Sequence, residues 1–355
     1  MKSMLYSFTI IVFFCLQSYA QVSLLEPRVS TAIQDSLIKI GTGLHDDGKY
    51  DDAIKTYRDV LKENPSNVVA LYELSYSLFA KKDYDGAIQY SKEGAKYKSK
   101  YLSLFYLNIG NAFDNQGKTA EAIDTYRQGM QIDPKYHLFP YNLGLTFYRK
   151  NSLDSARFQF QKALELNPSH SSSNLALSIT YRDMGKNIPR LFALSRFLIL
   201  EPTSQRSKDA LSQLQDVLSK FVSVDKSNSQ NINVSVTPDS DAVDGDLTVL
   251  EMSLAMTQAT RHTDDGKGKT DLQWTVHAFQ SFFQIMLELN EKESFNGFCW
   301  KYYAPYYIEM QRHGLTEAFV YFVSRCSETE EVNNWLKSNV EKVKEFIAWN
   351  KSYRW

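Results

Sequence analysis

The chain has 355 residues, enough for two domains or one elongated array, and its apolar fraction of 43% is ordinary for a protein that buries a core. Lys plus Arg (40) nearly balance Asp plus Glu (41), so no field of one sign argues for nucleic acid or an anionic membrane as partner. Only 15 Gly leave little for phosphate-cradling loops, whereas 22 Tyr and 21 Phe predict largely aromatic packing.

Residues 1–20 read as a signal peptide rather than as part of the fold. Lys2 supplies the positive start, Tyr6 to Leu16 the apolar stretch, and Ser18-Tyr19-Ala20 the small-x-small pattern before a cleavage expected between Ala20 and Gln21. The implied location is exported, periplasmic or secreted. The apolar run is too short to span a membrane as a mature helix. Cleavage would leave two cysteines, Cys299 and Cys326, expected as buried thiols rather than a disulfide.

Next comes an internal repeat. Gly41, Ala53, Tyr57 and Pro65 recur at the same spacing as Gly110, Ala122, Tyr126 and Pro134, and again as Gly144, Ala156, Phe160 and Pro168. Ser75, Ala87, Ser91 and Ser99 form a weaker copy, as do Ser178, Arg190, Leu194 and Pro202. The period is 34 residues, with one extra residue near Lys100. A small residue on a first helix lets a second helix approach, and an aromatic one turn after the Ala fills the space beside it. Gly48, Gly117, Asn151 and Gly185 stand where the first helix must end, since both residue types accept a left-handed cap. The closing Pro stops the second helix. In the fifth unit Ile188-Pro189 predicts a late start and less regular packing for the second helix.

The pattern resembles the tetratricopeptide repeat family over residues 34–203, in units 34–67, 68–102, 103–136, 137–170 and 171–203. The resemblance implies an all-α superhelix of helical hairpins, with ligand peptides lying on the concave face made by the first helices. Carried over residue by residue, the inward positions are Tyr72, Tyr76 and Phe79; Leu107, Asn111, Asp114 and Asn115; Tyr141, Leu145, Tyr148 and Arg149; and Ile179 and Arg182. Tyr offers a large rigid area and a hydroxyl, which suits peptide recognition. Family members that clamp a terminal carboxylate use Lys and Asn where this chain has Ile38 and Thr42, so a neutral or apolar extended segment is expected instead.

Residues 204–222 read as a helix whose stripe of Ala210, Leu211, Leu214, Val217, Leu218 and Phe221 caps the array. Residues 223–246 read as an exposed, acidic linker with a short strand at Ile232 to Val236. Residues 247–355 read as an all-helical domain: helices at Leu247 to Thr260 and Trp274 to Leu289, a hairpin around Gly314, and one last helix from Glu330 to Tyr353. Its pairs are either degenerate repeats or a separate bundle. The last helix carries a seam from Val332 through Leu336, Val340 and Val343 to Ile347 that would favour self-association if uncovered.

The sequence carries few motifs for chemistry. Gly268-Lys269-Thr270 lacks the Gly that a phosphate loop needs at Thr263. Asp239, Asp241, Asp244 and Asp246 miss the calcium-loop spacing, with Val243 at a ligand place and Leu250 where Glu should close the loop. No histidines pair at a metal spacing, and His277 is expected as a partly buried core histidine. Nothing near Cys299 activates it as a nucleophile. Asn233-Val234-Ser235 is a glycosylation sequon. The expectation is an exported, non-enzymatic scaffold for a protein or peptide, without catalytic residues, metal or cofactor. The alternatives are a self-associating structural protein and an enzyme with an unrecognised site in the C-terminal part.

Overall fold

A computed structural model describes residues 23–224, 232–236, 240–263, 268–292 and 294–355. The segment read as a signal peptide, the whole polar stretch from Lys226 to Asn231, and Thr237 to Asp239 lie outside the described residues. The fold is all-α apart from two small antiparallel hairpins. Helical pairs follow one another as α1 (Ala32–Asp46) with α2 (Tyr50–Glu63), α3 (Val68–Ala80) with α4 (Tyr84–Gly94), α5 (Leu102–Asn115) with α6 (Thr119–Ile132), α7 (Leu138–Arg149) with α8 (Leu153–Leu166), and α9 (Ser171–Asp183) with α10 (Asn187–Leu200). The chain divides within α5 into two compact units, the first ending at Phe105 and the second running from Tyr106 to Trp355.

Local chemistry sets the boundaries. Thr31 and Gln34 form a capping box at the start of α1, and the side chains of Asn67 and Asp83 cap α3 and α4. The first helix of each pair ends on a left-handed residue: Gly48, Lys82, Gly117, Asn151 and Gly185, with φ between 56° and 76°. Lys82 carries no sequence signal of this role. Close approach then explains the small positions. A methyl on Gly41 would sit 2.5 Å from the Tyr57 ring, and one on Gly110 would sit 2.4 Å from Tyr126. Where the second pair lacks its closing Pro, the chain around Tyr97 instead bridges to Leu25, whose N–H donates to the Lys96 carbonyl at 2.9 Å.

The fifth pair departs from expectation. α10 begins at Asn187, in register with the other second helices, because a Pro in the first turn gives up an N–H that has no intrahelical partner there. Far from packing loosely, α10 is buried at every position from Asn187 to Ile199. Later elements of the chain enclose it. α11 (Gln205–Ser219) covers one side, and α12 (Thr248–Thr260), α13 (Asp271–Lys292), a π-helical turn (Cys299–Tyr303) and α15 (Thr316–Val323) cover others. Phe192 of α10 stacks on Tyr303 and Tyr307 at 5.7 and 5.5 Å, and the Tyr307 hydroxyl donates to the Phe192 carbonyl. One continuous core therefore runs from Ala156 and Phe160 to Phe346. The expected stripe of α11 is buried against α10 while its other face is exposed, and later helices also pack on it: Cys326 Sγ donates to the Ser207 carbonyl at 3.4 Å.

The segment read as an exposed linker is also structured. β1 (Val222–Val224) pairs with β2 (Ile232–Val234), as the short-strand reading anticipates. β3 (Ser240–Asp241) pairs with β4 (Gly245–Asp246), and between them Asp244 is fully buried. Gly245 and Gly297 meet backbone to backbone, so neither tolerates a side chain. α14 (Ala304–Arg312) and α15 form the hairpin around Gly314. The expected single last helix is two, α16 (Glu330–Ser338) and α17 (Val340–Ser352), broken at Asn339. Val332 and Val343 are buried in the protein's own core and Leu336 and Ile347 pack against it, while Val340 is exposed, so most of the seam is covered within the chain. His277 is exposed on α13 beside Trp274 rather than partly buried. Cys299 and Cys326 are buried and form no disulfide with each other.

Candidate partner-binding face

In the first unit, three expected residues sit on α3. Positions 72, 76 and 79 are spaced so that their side chains rise from one side of the helix. Tyr72 and Tyr76 stack with centroids 6.0 Å apart and ring planes 9° from parallel. Tyr76 stacks in turn on His45 of α1 at 4.9 Å, and Tyr72 lies 5.3 Å from Tyr101, the residue before α5. A ladder of four rings results: His45, Tyr76, Tyr72, Tyr101. His45 is oriented by a 2.8 Å hydrogen bond between its Nδ1 and Ser77 Oγ. Tyr76 keeps 45% of its surface exposed, an unusual amount for a large aromatic in so ordered a stack. Phe79 does not join the ladder; its ring meets Tyr84 of α4 edge-on at 5.5 Å.

Two carboxylates that the sequence pattern did not single out border this ladder. Glu73 follows Tyr72 directly and is half-buried; Asp46 follows His45. Burial, and then the Asp46 charge, raise the Glu73 carboxyl above its ordinary value. Both charges also act on the buried Tyr57 hydroxyl, which burial first of all pushes up to about 12 and which donates to Thr42 Oγ1 at 3.4 Å.

In the second unit the expected residues have mostly found partners within the chain. Asn111 accepts a 2.7 Å hydrogen bond from Tyr126, the buried aromatic of its own pair, and the exposed Asn115 donates to the Asn111 carbonyl. Arg149 forms an ion pair with Asp114, which also accepts from Thr146 Oγ1 at 3.0 Å. Tyr148 donates to Asp183 Oδ2 at 2.5 Å, and Arg182 Nε donates to the other oxygen of the same carboxylate at 2.8 Å. The Arg182 hydrogen bond is the first of the causes that lower the Asp183 carboxyl. Tyr141 is half-buried, edge-on to His170 at 4.8 Å, and Leu145 packs on the core. His170 is driven down to about 4 by burial, then by its neighbours His137 and Arg206, so it is neutral at ordinary pH.

A densely bonded polar cluster forms around two aspartates that the sequence pattern assigned to solvent. Asp244 accepts hydrogen bonds of 2.7 Å from Arg157 Nη1, Gln161 Nε2 and the Tyr181 hydroxyl. Asp241 receives the same guanidinium at 2.8 Å and Lys186 Nζ at 3.1 Å. Burial alone would raise the Asp241 carboxyl, but Arg157, the Val243 N–H and Lys186 hold it far below its usual range. The earlier units hold Ile54, Ile88 and Ile123 where α8 has Arg157. A charge in an apolar repeat position was the signal that this unit receives a buried carboxylate. Both Arg157 Nη atoms are engaged within the cluster while the buried Arg157 Nε has no hydrogen-bond partner among the described residues, and the bonds tie the β3–β4 hairpin to α8. Among the described residues no group of three or more His, Cys, Asp or Glu is placed to hold a metal, and no helix is long and apolar enough to cross a membrane.

Comparison with known proteins agrees with the repeat reading. Residues 39–96 match a tetratricopeptide repeat model, residues 110–151 a TPR repeat model and residues 141–170 a further tetratricopeptide repeat model. The RNA polymerase-associated protein CTR9 of Caenorhabditis elegans is 29% identical over 125 residues, 34% of this chain and 11% of that protein. The match thus spans about a tenth of that relative's length. Among solved structures, a thermophilic TPR protein of Thermus thermophilus is 20% identical, with 52% of this chain and 98% of that chain covered and a TM-score of 0.42. The pilF protein of Pseudomonas aeruginosa is 19% identical, with 53% and 90% covered and a TM-score of 0.44. The fold is all-α and carries tetratricopeptide repeats.

Proposed function

We propose that the chain is an exported, non-enzymatic interaction scaffold that holds a peptide or protein partner on the concave face of its first helices. The observation that supports this reading is the ring ladder of His45, Tyr76, Tyr72 and Tyr101, in which Tyr76 is exposed and the other three rings are half-buried. Rigid Tyr and His rings offer contact area at low entropic cost, the property of residues that dominate binding energies. Internal partners at Arg149, Tyr148 and Arg182 make these residues the weaker candidates for contact. Export rests on the pattern of residues 1–20, and amino-terminal sequencing of the protein recovered outside the cytoplasm is expected to begin at Gln21.

The test is a cross-linking pull-down with residues 21–355 in the native compartment. Partner recovery is expected to fall sharply in Tyr72→Ala plus Tyr76→Ala and to persist in Tyr148→Ala. Unchanged recovery in the first variant would sink the assignment.

A further inference from the structure

We infer that the open face of the first unit takes a cationic partner segment, with an arginine side chain seated against Glu73, Asp46 and the Tyr76 ring; this rests on the proposed function and names its ligand chemistry. Elsewhere in the protein, half-buried carboxylates on the repeats have partners. Asp114 holds Arg149 and Thr146, Asp183 holds Tyr148 and Arg182, and Glu201 holds Arg206. Glu73 and Asp46 stand apart: neither has an ion-pair or hydrogen-bond partner among the described residues. Glu73 is half-buried and so incompletely hydrated, and the charge of the exposed Asp46 repels it. Asp46 is in addition the last residue of α1, where the helix dipole disfavours negative charge. Such an arrangement is unfavourable in isolation and becomes favourable when a cation arrives.

The rings decide which cation. Glu73 lies one residue from Tyr72 and three from Tyr76, so the carboxylate and the exposed Tyr76 ring occupy neighbouring places on α3. A guanidinium stacks flat on an aromatic face while its edge donates two hydrogen bonds to a carboxylate; an ammonium does only the second as well. The charge complement therefore replaces the neutral or apolar segment expected from the sequence.

The probe is a fluorescein-labelled, end-capped peptide of alternating arginine and leucine, with versions carrying glutamine or glutamate in place of arginine. It is titrated by fluorescence anisotropy against residues 21–355. The arginine peptide is expected to bind about tenfold tighter than the glutamine peptide, and the glutamate peptide not at all. The affinity should fall as salt is added. Glu73→Gln should weaken the arginine peptide about three- to tenfold while leaving the glutamine peptide unchanged, with Asp59→Asn on the far helix as a silent control. Glu73→Gln removes a repulsion, so a fold that melts earlier cannot be the explanation for lost binding; circular dichroism checks this.

Equal affinity for arginine and glutamine peptides, or an indifferent Glu73→Gln, overturns the cationic ligand. If both peptides then still depend on Tyr76→Ala, the aromatic face survives and only its charge preference fails. If arginine-peptide binding ignores Tyr76→Ala as well, or if no peptide binds, the face assignment falls with it.

Discussion

The two compact units use the same helical hairpin and treat its polar positions in opposite ways. In the first, the exposed Tyr76 stacks between the half-buried His45 and Tyr72, and Glu73 and Asp46 lack counterions among the described residues. In the second, the matching side of the repeats is closed by internal pairs, and the far side of α8 to α10 is sealed by the C-terminal helices and by Asp244. The repeat pattern alone does not make a binding surface. Which positions remain unsatisfied does, because an unpaired half-buried group gains most when a ligand supplies its partner.

The sharpest way to break this contrast is to undo the seal. Arg157→Ile restores the residue type of the first three units, yet it leaves Asp244 buried without its cation. The expected loss is about 3–5 kcal/mol, since removing one partner of a buried pair strands the other. All five tryptophans of the chain lie in the second unit, so urea unfolding followed by tryptophan fluorescence reads this loss directly. A loss below about 1 kcal/mol would mean that the hairpin is fastened by its glycine contacts instead. A paired test comes next in size. A methyl on Gly94 would lie 2.1 Å from the Phe105 ring, and one on Gly129 would lie 2.3 Å from Phe139. Gly94→Ala and Gly129→Ala occupy the same repeat position in different units, and each should cost about 1–3 kcal/mol by overpacking. Far-UV circular dichroism follows the first and tryptophan fluorescence the second. Markedly unequal costs would show that the second unit's extra helices stiffen the repeats they cover.

Much of the architecture was legible because the hairpin obeys local rules. Gly41, Gly110 and Gly144 admit an aromatic from the second helix, and Gly48, Gly117, Asn151 and Gly185 end the first, all within one repeat length. The ring ladder was half legible. Tyr72 and Tyr76 follow from helix geometry, but His45 and Tyr101 come from neighbouring elements, and Glu73 looked like an ordinary solvated charge until its neighbours were placed. The C-terminal packing was hidden for a different reason. Asp244 reaches Arg157 across 87 residues of chain, and no periodicity links them. Nor did composition distinguish a polar stretch in solvent from one whose single aspartate enters a core.

A smaller effect concerns Lys82, which ends α3 at φ 66° where three of the other four pairs have Gly. An L-residue with a side chain is strained in that conformation, and Lys82→Gly should stabilise the first unit by about 1 kcal/mol in thermal unfolding. No gain would mean that the lysine side chain makes contacts that offset the strain.

The smallest effect has the most informative sign. Glu73 is raised by burial and Asp46, whereas Asp241 is lowered despite its burial by Arg157, the Val243 N–H and Lys186. A raised carboxyl costs stability once it ionises: the cost begins as pH climbs past its ordinary 4.5 and is complete above its folded value. Glu73→Gln should therefore stabilise the protein slightly at neutral pH and make no difference below the ordinary value. A lowered carboxyl contributes stability above its ordinary 3.8 and loses it as pH falls toward its folded value. Asp241→Asn should accordingly destabilise at neutral pH, with the deficit shrinking under acid. Melting temperatures of the two variants against wild type, taken from about pH 7 to about pH 3, should diverge in opposite directions at neutrality; by about pH 3 the Glu73→Gln difference should have vanished, whereas the Asp241→Asn deficit should only have begun to shrink. Two destabilising variants at neutrality would show that Glu73 already has its counterion within the chain, and the first unit would then be as closed as the second.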